Sequence, residues 1–379
     1  MKVYIPRYIE KPVIADLERK MVFVGGPRQS GKTTMAKHLC AGTGASVDER
    51  YLNWDAAEDR EQILLERFPA ASGVLILDEI HKFSRWRQVV KGLYDKRGDE
   101  ISILVTGSAR LDHYRRGGDS LQGRYHFYRL WPLSLAELAA PLPSTIDDLM
   151  TYGCFPEPFS LQSEKETRRW SRDYRSRVIT GDLADLENVQ DLGNIERMAL
   201  RLPDLVGSPL SLNALREDLQ VAHQTVSRWM TMLENLYTVF RIYPFGAPHI
   251  RAVKKEAKHY HVDWCLVPEP GPRFENLVAC HLMKWCHFLQ DTEAREVELR
   301  YFRDVDRREV DFVVTENGRP TLFVECKLND KSISRSLRYL KIRFPEVRAV
   351  QVYQGDGPDR KDRDGILLCP AYRFLSELV

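Results

Sequence analysis

The 379-residue sequence predicts a multidomain α/β protein. Apolar runs at 20–24, 73–79 and 101–108 alternate with helical stretches, the pattern of a parallel sheet between helices. A largely helical middle follows Trp131-Pro132-Leu133, and strand character returns from Glu296 onward. The chain is also too long for one ordinary core, which favours two or three domains.

Lys20-Met21-Val22-Phe23-Val24 reads as a short buried strand running into a glycine-rich turn and a helix over 32–39. The turn spells Gly26-Pro27-Arg28-Gln29-Ser30-Gly31-Lys32-Thr33, with Thr34 next on the helix. This is the G-x-x-x-x-G-K-T pattern of a phosphate-binding loop. Its glycines let main-chain N–H groups wrap phosphates, and the helix start adds its positive dipole end. Lys32 is placed for β/γ oxygens and the Thr33 hydroxyl for Mg²⁺. ATP with Mg²⁺ is therefore the expected cofactor pair. A glycine turn without a ligand is the bland alternative, and the flanking strand and helix count against it.

The run Gly73-Val74-Leu75-Ile76-Leu77 ends in Asp78-Glu79. A carboxylate closing an adjacent buried strand holds Mg²⁺ through water, and its neighbour orients or deprotonates the attacking water. Ser108, closing the third strand, reads as a γ-phosphate sensor or as a turn residue.

Composition narrows the field. With 56 basic and 54 acidic residues the net charge is +2, without the strong basic excess of a dedicated nucleic-acid binder. Basic clusters at Arg168–Arg177, Arg251–Lys258 and Lys327–Arg343 read first as solvated faces. The seven cysteines (40, 154, 265, 280, 286, 326, 369) form no C-x-x-C pair, which suggests reduced thiols in a cytoplasmic protein and no zinc ribbon. No apolar run is long enough for a bilayer, so no membrane partner is expected, and the N-terminus lacks the apolar stretch of a signal peptide.

Leu77-Asp78-Glu79-Ile80-His81-Lys82, Thr106-Gly107-Ser108-Ala109-Arg110, Ser120-Leu121-Gln122-Gly123-Arg124 and Pro132-Leu133-Ser134 resemble the prokaryotic AAA-type ATPases with a carboxyl-terminal domain of unknown function. The resemblance extends through Asp263 toward the C-terminal end. It implies a P-loop AAA-type core over 1–145, a helical lid with a winged helix over 146–262, and a mixed α/β nuclease-like domain over 263–379. By the same resemblance Lys32, Asp78 and Glu79 do metal-binding and catalytic work, and Ser108 is the sensor. Arg124 then stabilises transition-state charge, from a neighbouring subunit if the protein is a homo-oligomer, although a structural ion pair fits an arginine there equally well.

Leu212, Leu215 and Leu219 stripe one short helix, a turn follows near Val221-Ala222, and Val226, Trp229, Met230, Leu233 and Leu236 stripe a second. This helix-turn-helix pattern leaves Gln224, Ser227, Arg228 and Thr231 outward as candidate DNA contacts, with 239–243 as the first strand of a wing. An ordinary helical hairpin packing against protein is the alternative.

Residues 307–315 and 321–328 read as two strands around Asn317-Gly318. Strand alternation puts Glu309, Asp311 and Val313 on one face, and Glu325 and Lys327 on one face of the partner. A five-residue loop over 316–320 sets Asp311 opposite Glu325; a two-residue turn breaks that register. With Glu275 on the helix before, Asp311, Glu325 and Lys327 resemble the PD-(D/E)xK nuclease motif, implying a second Mg²⁺ or Mn²⁺. Acid-x-Lys triplets also occur at Glu18–Lys20, Glu256–Lys258 and Asp359–Lys361, so strand context carries the distinction.

The expected function is a Mg²⁺-dependent ATP hydrolase that couples turnover to action on DNA, with a metal-dependent nuclease implied at its C-terminal end. Its rival is a nucleotide-gated switch whose later modules bind protein partners. A phosphotransferase is disfavoured by Asp78-Glu79 and by the lack of an acceptor site.

Overall fold

Short runs of Val, Ile, Leu and Phe with no polar alternation bury both faces, which suits parallel strands covered by helices. The computed structural model of the chain describes residues 4–42, 47–69, 72–107, 111, 121–138, 143–183, 191–246, 256–329 and 332–379. It divides into two compact units, Met1–Leu133 and Ser134–Val379.

In the first unit, β1 (Met21–Gly25), β2 (Tyr51–Asn53), β3 (Gly73–Asp78), β4 (Ile101–Thr106) and β5 (Tyr125–Arg129) form an all-parallel sheet in the order β2-β3-β4-β1-β5. Around it lie α1 (Glu10–Leu17), α2 (Lys32–Gly42), α3 (Val47–Arg50), α4 (Ala57–Leu64) and α5 (Trp86–Arg97). Phe23, Leu75, Leu77, Ile103 and Val105 bury one sheet face against Trp86 and Val90 of α5. Burial of each such side chain contributes about 1.5–3 kcal/mol.

This order corrects one expectation. The strand ending in Asp78 is not the neighbour of β1, because β4 lies between them. Parallel strands still bring their carboxyl ends to one edge, so the loop after β1 and Asp78 meet across β4.

The second unit opens with helices α6 (Pro143–Tyr152), α7 (Pro156–Leu161), α8 (Glu164–Arg177) and α9 (Leu192–Arg201). Next come β6 (Pro209–Leu210), α10 (Leu212–Leu219), α11 (His223–Asn235), β7 (Val239–Pro244) and β8 (Ala257–His261). Then follow α12 (Pro270–Glu293), β9 (Val297–Arg303), β10 (Glu309–Glu316), β11 (Arg319–Lys327), α13 (Arg335–Arg343), β12 (Arg348–Tyr353), β13 (Arg360–Lys361), β14 (Leu367–Pro370) and α14 (Ala371–Ser376). All its strands join one nine-stranded sheet in the order β13-β14-β12-β11-β10-β9-β7-β8-β6. The junction expected at 262 falls inside this unit, where β7 pairs with both β8 and β9. Pro270-Gly271-Pro272 starts the 24-residue α12, where a missing N–H costs nothing.

The β10–β11 hairpin reaches its register by an unexpected route. Asn317 and Gly318, at φ +50° and +76°, make a two-residue turn in place of the five-residue loop. Glu316 pairs with Arg319 and Thr315 with Pro320; the register then shifts, and Val314 pairs with Leu322. The extra residue, Thr321, restores Phe312 opposite Val324, and continuing that register sets Asp311 across from Glu325. A second irregularity, against β9, lies between Val310 and Val313. Both valines are buried in the same cluster with Leu337 and Leu340 of α13, so the expected alternation of Glu309, Asp311 and Val313 is interrupted there.

Candidate functional site

The loop between β1 and α2 is built by backbone that few residues accept. Gly26 has φ +148°, and a Cβ there would lie 2.3 Å from the Leu130 carbonyl oxygen. Gln29 and Gly31 also have positive φ, at +58° and +97°. The Ser30 hydroxyl is buried without a hydrogen-bond partner among the described residues. Lys32 is 7% exposed, and its Nζ donates to the carbonyls of Gly26 (3.1 Å) and Pro27 (2.7 Å), curled onto the loop it would otherwise span. Arg28 is partly exposed, Gln29 and Thr34 are exposed, and Pro27 is buried. An orphaned hydroxyl, an ammonium turned onto the loop and a helix start within one short segment fit a polyphosphate.

Asp78 gathers three hydroxyls at the strand edge. Its Oδ2 accepts from Thr33 Oγ1 (2.8 Å) and Tyr51 Oη (2.7 Å), and its Oδ1 accepts from Thr106 Oγ1 (2.6 Å). Thr33 and Asp78 thus stand together as a metal pair requires, with Tyr51 and Thr106 fixing the carboxylate. Burial, followed by the Asp78 charge and hydrogen bond, pushes the Tyr51 hydroxyl above its ordinary value, so it stays a donor.

Glu79 has left-handed backbone at φ +55°, costly for a residue with a Cβ. Its N–H donates to the Thr106 carbonyl (2.9 Å), which ties the end of β3 to β4. One carboxylate oxygen, Oε2, is buried without a hydrogen bond, with His81 Nε2 at 3.6 Å and Lys82 Nζ at 3.7 Å. Burial raises the Glu79 pKa, and the Lys32 and Lys82 charges offset part of that rise. Such a carboxylate suits proton abstraction.

Arg7 escaped the sequence reading. It is 6% exposed, and its guanidinium donates to the carbonyls of Ser30 (2.5 Å) and Trp131 (2.6 Å), tying the loop to the chain beyond β5. Ser108 lies outside the described residues.

Arg124 does not approach this site within its own chain. It precedes β5, whose Tyr125 pairs with Met21 at the start of β1, whereas the loop follows Gly25 at the other end. The intervening strand is roughly 16 Å long. Arg124 Nε instead bonds Asp95 of α5 at 2.8 Å.

In the second unit, α10 is capped by Ser211, turns at Gln220 (φ +54°) and leads into α11. Val226, Trp229, Met230, Leu233 and Leu236 are buried; Gln224, Arg228 and Thr231 are exposed, and Ser227 is partly so. The turn near Val221-Ala222 and the strand over 239–243 appear where expected. Strands β6, β8 and β7 close beside this helix pair, and Arg241 Nε bonds Glu234 Oε1 at 2.8 Å.

The four nuclease-motif residues lie in one region of this unit. Glu275, Asp311 and Lys327 line a cavity of about 500 Å³ with Ser208, Cys326 and Asn329. Lys327 Nζ bonds Glu325 Oε1 at 2.7 Å, and Asp311 Oδ2 accepts from the Cys326 N–H at 2.8 Å. Glu325 is 4% exposed, and its Oε2 has no hydrogen bond among the described residues. Burial first, and the Asp311 charge second, push Glu275 and Glu325 each up to about 7.

A side chain assigned to a solvated basic face changes this site. Lys258 is fully buried, with Nζ 3.1 Å from Glu275 Oε1, 2.6 Å from Glu309 Oε1 and 4.0 Å from Asp311 Oδ1. Burial alone would lower its pKa; Glu275, Asp311 and Glu309 reverse that and hold it above the usual lysine value. The carboxylates expected to hold a second Mg²⁺ or Mn²⁺ thus already face an ammonium. Among the described residues no group of three or more His, Cys, Asp and Glu side chains is placed to hold a metal ion. The set does not fit that metal. Nor, among the described residues, is any helix long and apolar enough to cross a membrane.

Residues 18–139 match the family model of an AAA domain. Residues 144–269 and 270–374 match two domains of unknown function, DUF8612 and DUF4143. The chain is 25% identical over 352 residues to an uncharacterized protein of Mycobacterium tuberculosis, covering 89% of this chain and 77% of that one. It is 21% identical over 440 residues to an uncharacterized protein of Methanocaldococcus jannaschii, covering 99% and 87% respectively. Among solved structures, the Thermotoga maritima RuvB Holliday junction branch migration motor shares 20% identity at a TM-score of 0.30, covering 62% of this chain and 87% of that one. The Aeropyrum pernix ORC1 protein in complex with DNA shares 12% at 0.30, covering 74% and 95%. The phosphate loop and its parallel sheet lie within the matched segment: residues 18–139 of this chain are similar to an AAA domain.

Proposed function

We infer that the protein is a Mg²⁺-dependent ATP hydrolase that couples turnover to action on DNA. The observation carrying the hydrolase reading is the Thr33–Asp78 hydrogen bond at 2.8 Å, beside a loop whose Lys32 and Ser30 are buried. In this reading Gly26–Thr34 hold the phosphates, with Lys32 on the β/γ oxygens, and Thr33 and Asp78 hold the metal. Bound Mg²⁺ supplies charge neutralisation at the phosphate oxygens. Glu79 takes the proton of the attacking water. Ser108 is assigned the sensor role, and Arg124 acts only from a neighbouring subunit of a homo-oligomer.

DNA enters through the second unit. The helix pair α10–α11, flanked by β6, β7 and β8, supports a winged-helix reading with Gln224, Ser227, Arg228 and Thr231 toward the groove. For the nuclease-like region, the buried Lys258 ammonium favours a second reading: this unit binds its partner without cutting it. A cytoplasmic setting goes with both.

One experiment separates these readings. ATP turnover is measured with single-stranded, duplex and branched DNA across a salt series. Stimulation that weakens steeply with salt supports coupling to DNA. Indifference to every DNA form overturns it in favour of a nucleotide-gated protein switch. Metal-dependent cleavage that disappears in Asp311→Asn would overturn binding without cutting.

A further inference from the structure

A nuclease of the type suggested by Glu275, Asp311, Glu325 and Lys327 needs a divalent cation between its carboxylates. In this chain each of those carboxylates already has a donor. Glu275 Oε1 accepts from Lys258 Nζ (3.1 Å) and from Tyr260 Oη (2.7 Å). Asp311 Oδ2 accepts from the Cys326 N–H, and its Oδ1 lies 4.0 Å from Lys258 Nζ. Glu325 is bonded to Lys327.

Lys258 does not hang into the pocket from a mobile surface. Every residue of β8 is buried, and Lys258 and Tyr260 project from the same side of it toward Glu275. Next to Glu275, Asn276 fastens α12 to β8: its Oδ1 accepts from the His261 N–H (2.8 Å) and its Nδ2 donates to the His261 carbonyl (2.6 Å). Glu309, at the start of β10, adds the closest carboxylate at 2.6 Å, and the Tyr301 ring lies 5.6 Å from the ammonium. Strand, helix and hairpin together fix one positive charge among three negative ones.

We propose that the Lys258 ammonium is the resident cation of the Glu275–Glu309–Asp311 cluster, two of whose carboxylates border the cavity, so that this cluster takes no metal while Lys258 is in place. A divalent ion at about 2.1 Å from Glu275 and Asp311 oxygens would share their space with a fixed like charge. Lys327 and Asn329 line the cavity beside this cluster.

The test titrates Mn²⁺ into the full chain without nucleotide, reading free Mn²⁺ by electron paramagnetic resonance. The wild type and Asp311→Asn give the same isotherm. Lys258→Met gains one site that binds at least about tenfold more tightly than anything in the wild type. That site disappears again when Asp311→Asn is added. Wild-type binding that Asp311→Asn abolishes overturns the proposal, as does a folded Lys258→Met protein that gains no site. If Lys258→Met does not fold, the comparison of wild type with Asp311→Asn decides alone. Because no nucleotide is present, a failure of the ATPase reading leaves this result unaffected.

Discussion

Thr33 and Asp78, 45 positions apart, share a 2.8 Å hydrogen bond that joins the phosphate loop to the edge of β3. Thr106 holds the other Asp78 oxygen at 2.6 Å from the strand between them. Asp78→Asn should lower ATP turnover about 10- to 100-fold with a raised Mg²⁺ requirement, and Thr106→Val should shift the same requirement less. Steady-state rates against Mg²⁺ at saturating ATP measure both. Equal Mg²⁺ curves for all three proteins would take Asp78 out of metal binding.

Glu79 gives a prediction in pH. Burial raises its pKa, so the proton returns at higher pH than on an ordinary carboxylate. A protonated Glu79 cannot accept the proton of water, so turnover should fall as pH drops through this raised value. Glu79→Gln should lose turnover by about 10²-fold or more, keep ATP binding, and lose that acid limb. A Gln variant that retains the wild-type pH profile would assign the limb to another group.

The legible parts of this molecule were those written in contiguous sequence. The loop at Gly26–Thr33 declares itself because G-x-x-x-x-G-K-T stands between an apolar run and a helix, and Asp78-Glu79 because two acids close an apolar run. Strand order has no local signature, so the intrusion of β4 between β1 and β3 went unseen. Tyr51, Thr106 and Arg7 are single polar residues whose partners lie far along the chain, and no spacing marks them. Lys258 was misread for the same reason. Its neighbours Glu256 and His259 suggest a polar surface, whereas α12, β9 and β10 bury it. The Asp311–Glu325 register was anticipated, yet it depends on a bulge at Thr321 that compensates a tighter turn.

Arg124 tests assembly. Its bond to Asp95 and its place before β5 keep it from the phosphate loop of its own chain, so a role in hydrolysis would require a neighbouring subunit. If it acts there, specific activity should rise with enzyme concentration, and Arg124→Ala should flatten that rise with a loss approaching about a thousandfold. Activity independent of concentration, and unchanged in Arg124→Ala, would make the arginine a structural partner of Asp95.

Glu325 predicts how the second unit responds to pH. Burial, with the Asp311 charge beside it, pushes its carboxyl up to about 7 against the partial relief of Lys327. The folded state therefore binds a proton that the unfolded state, with an ordinary glutamate, has already released. Stability from this group is present at low pH and is lost as pH rises from the ordinary carboxylate range through about 7. Glu325→Gln keeps the shape and removes the buried charge, while Lys327, 40% exposed, remains solvated. Across that window the wild type should lose roughly 1–3 kcal/mol more than the variant does. Thermal denaturation of both proteins at pH 5 and pH 8 measures the difference. Parallel losses would mean that Glu325 finds a partner for its bare oxygen in solution and titrates as an ordinary acid.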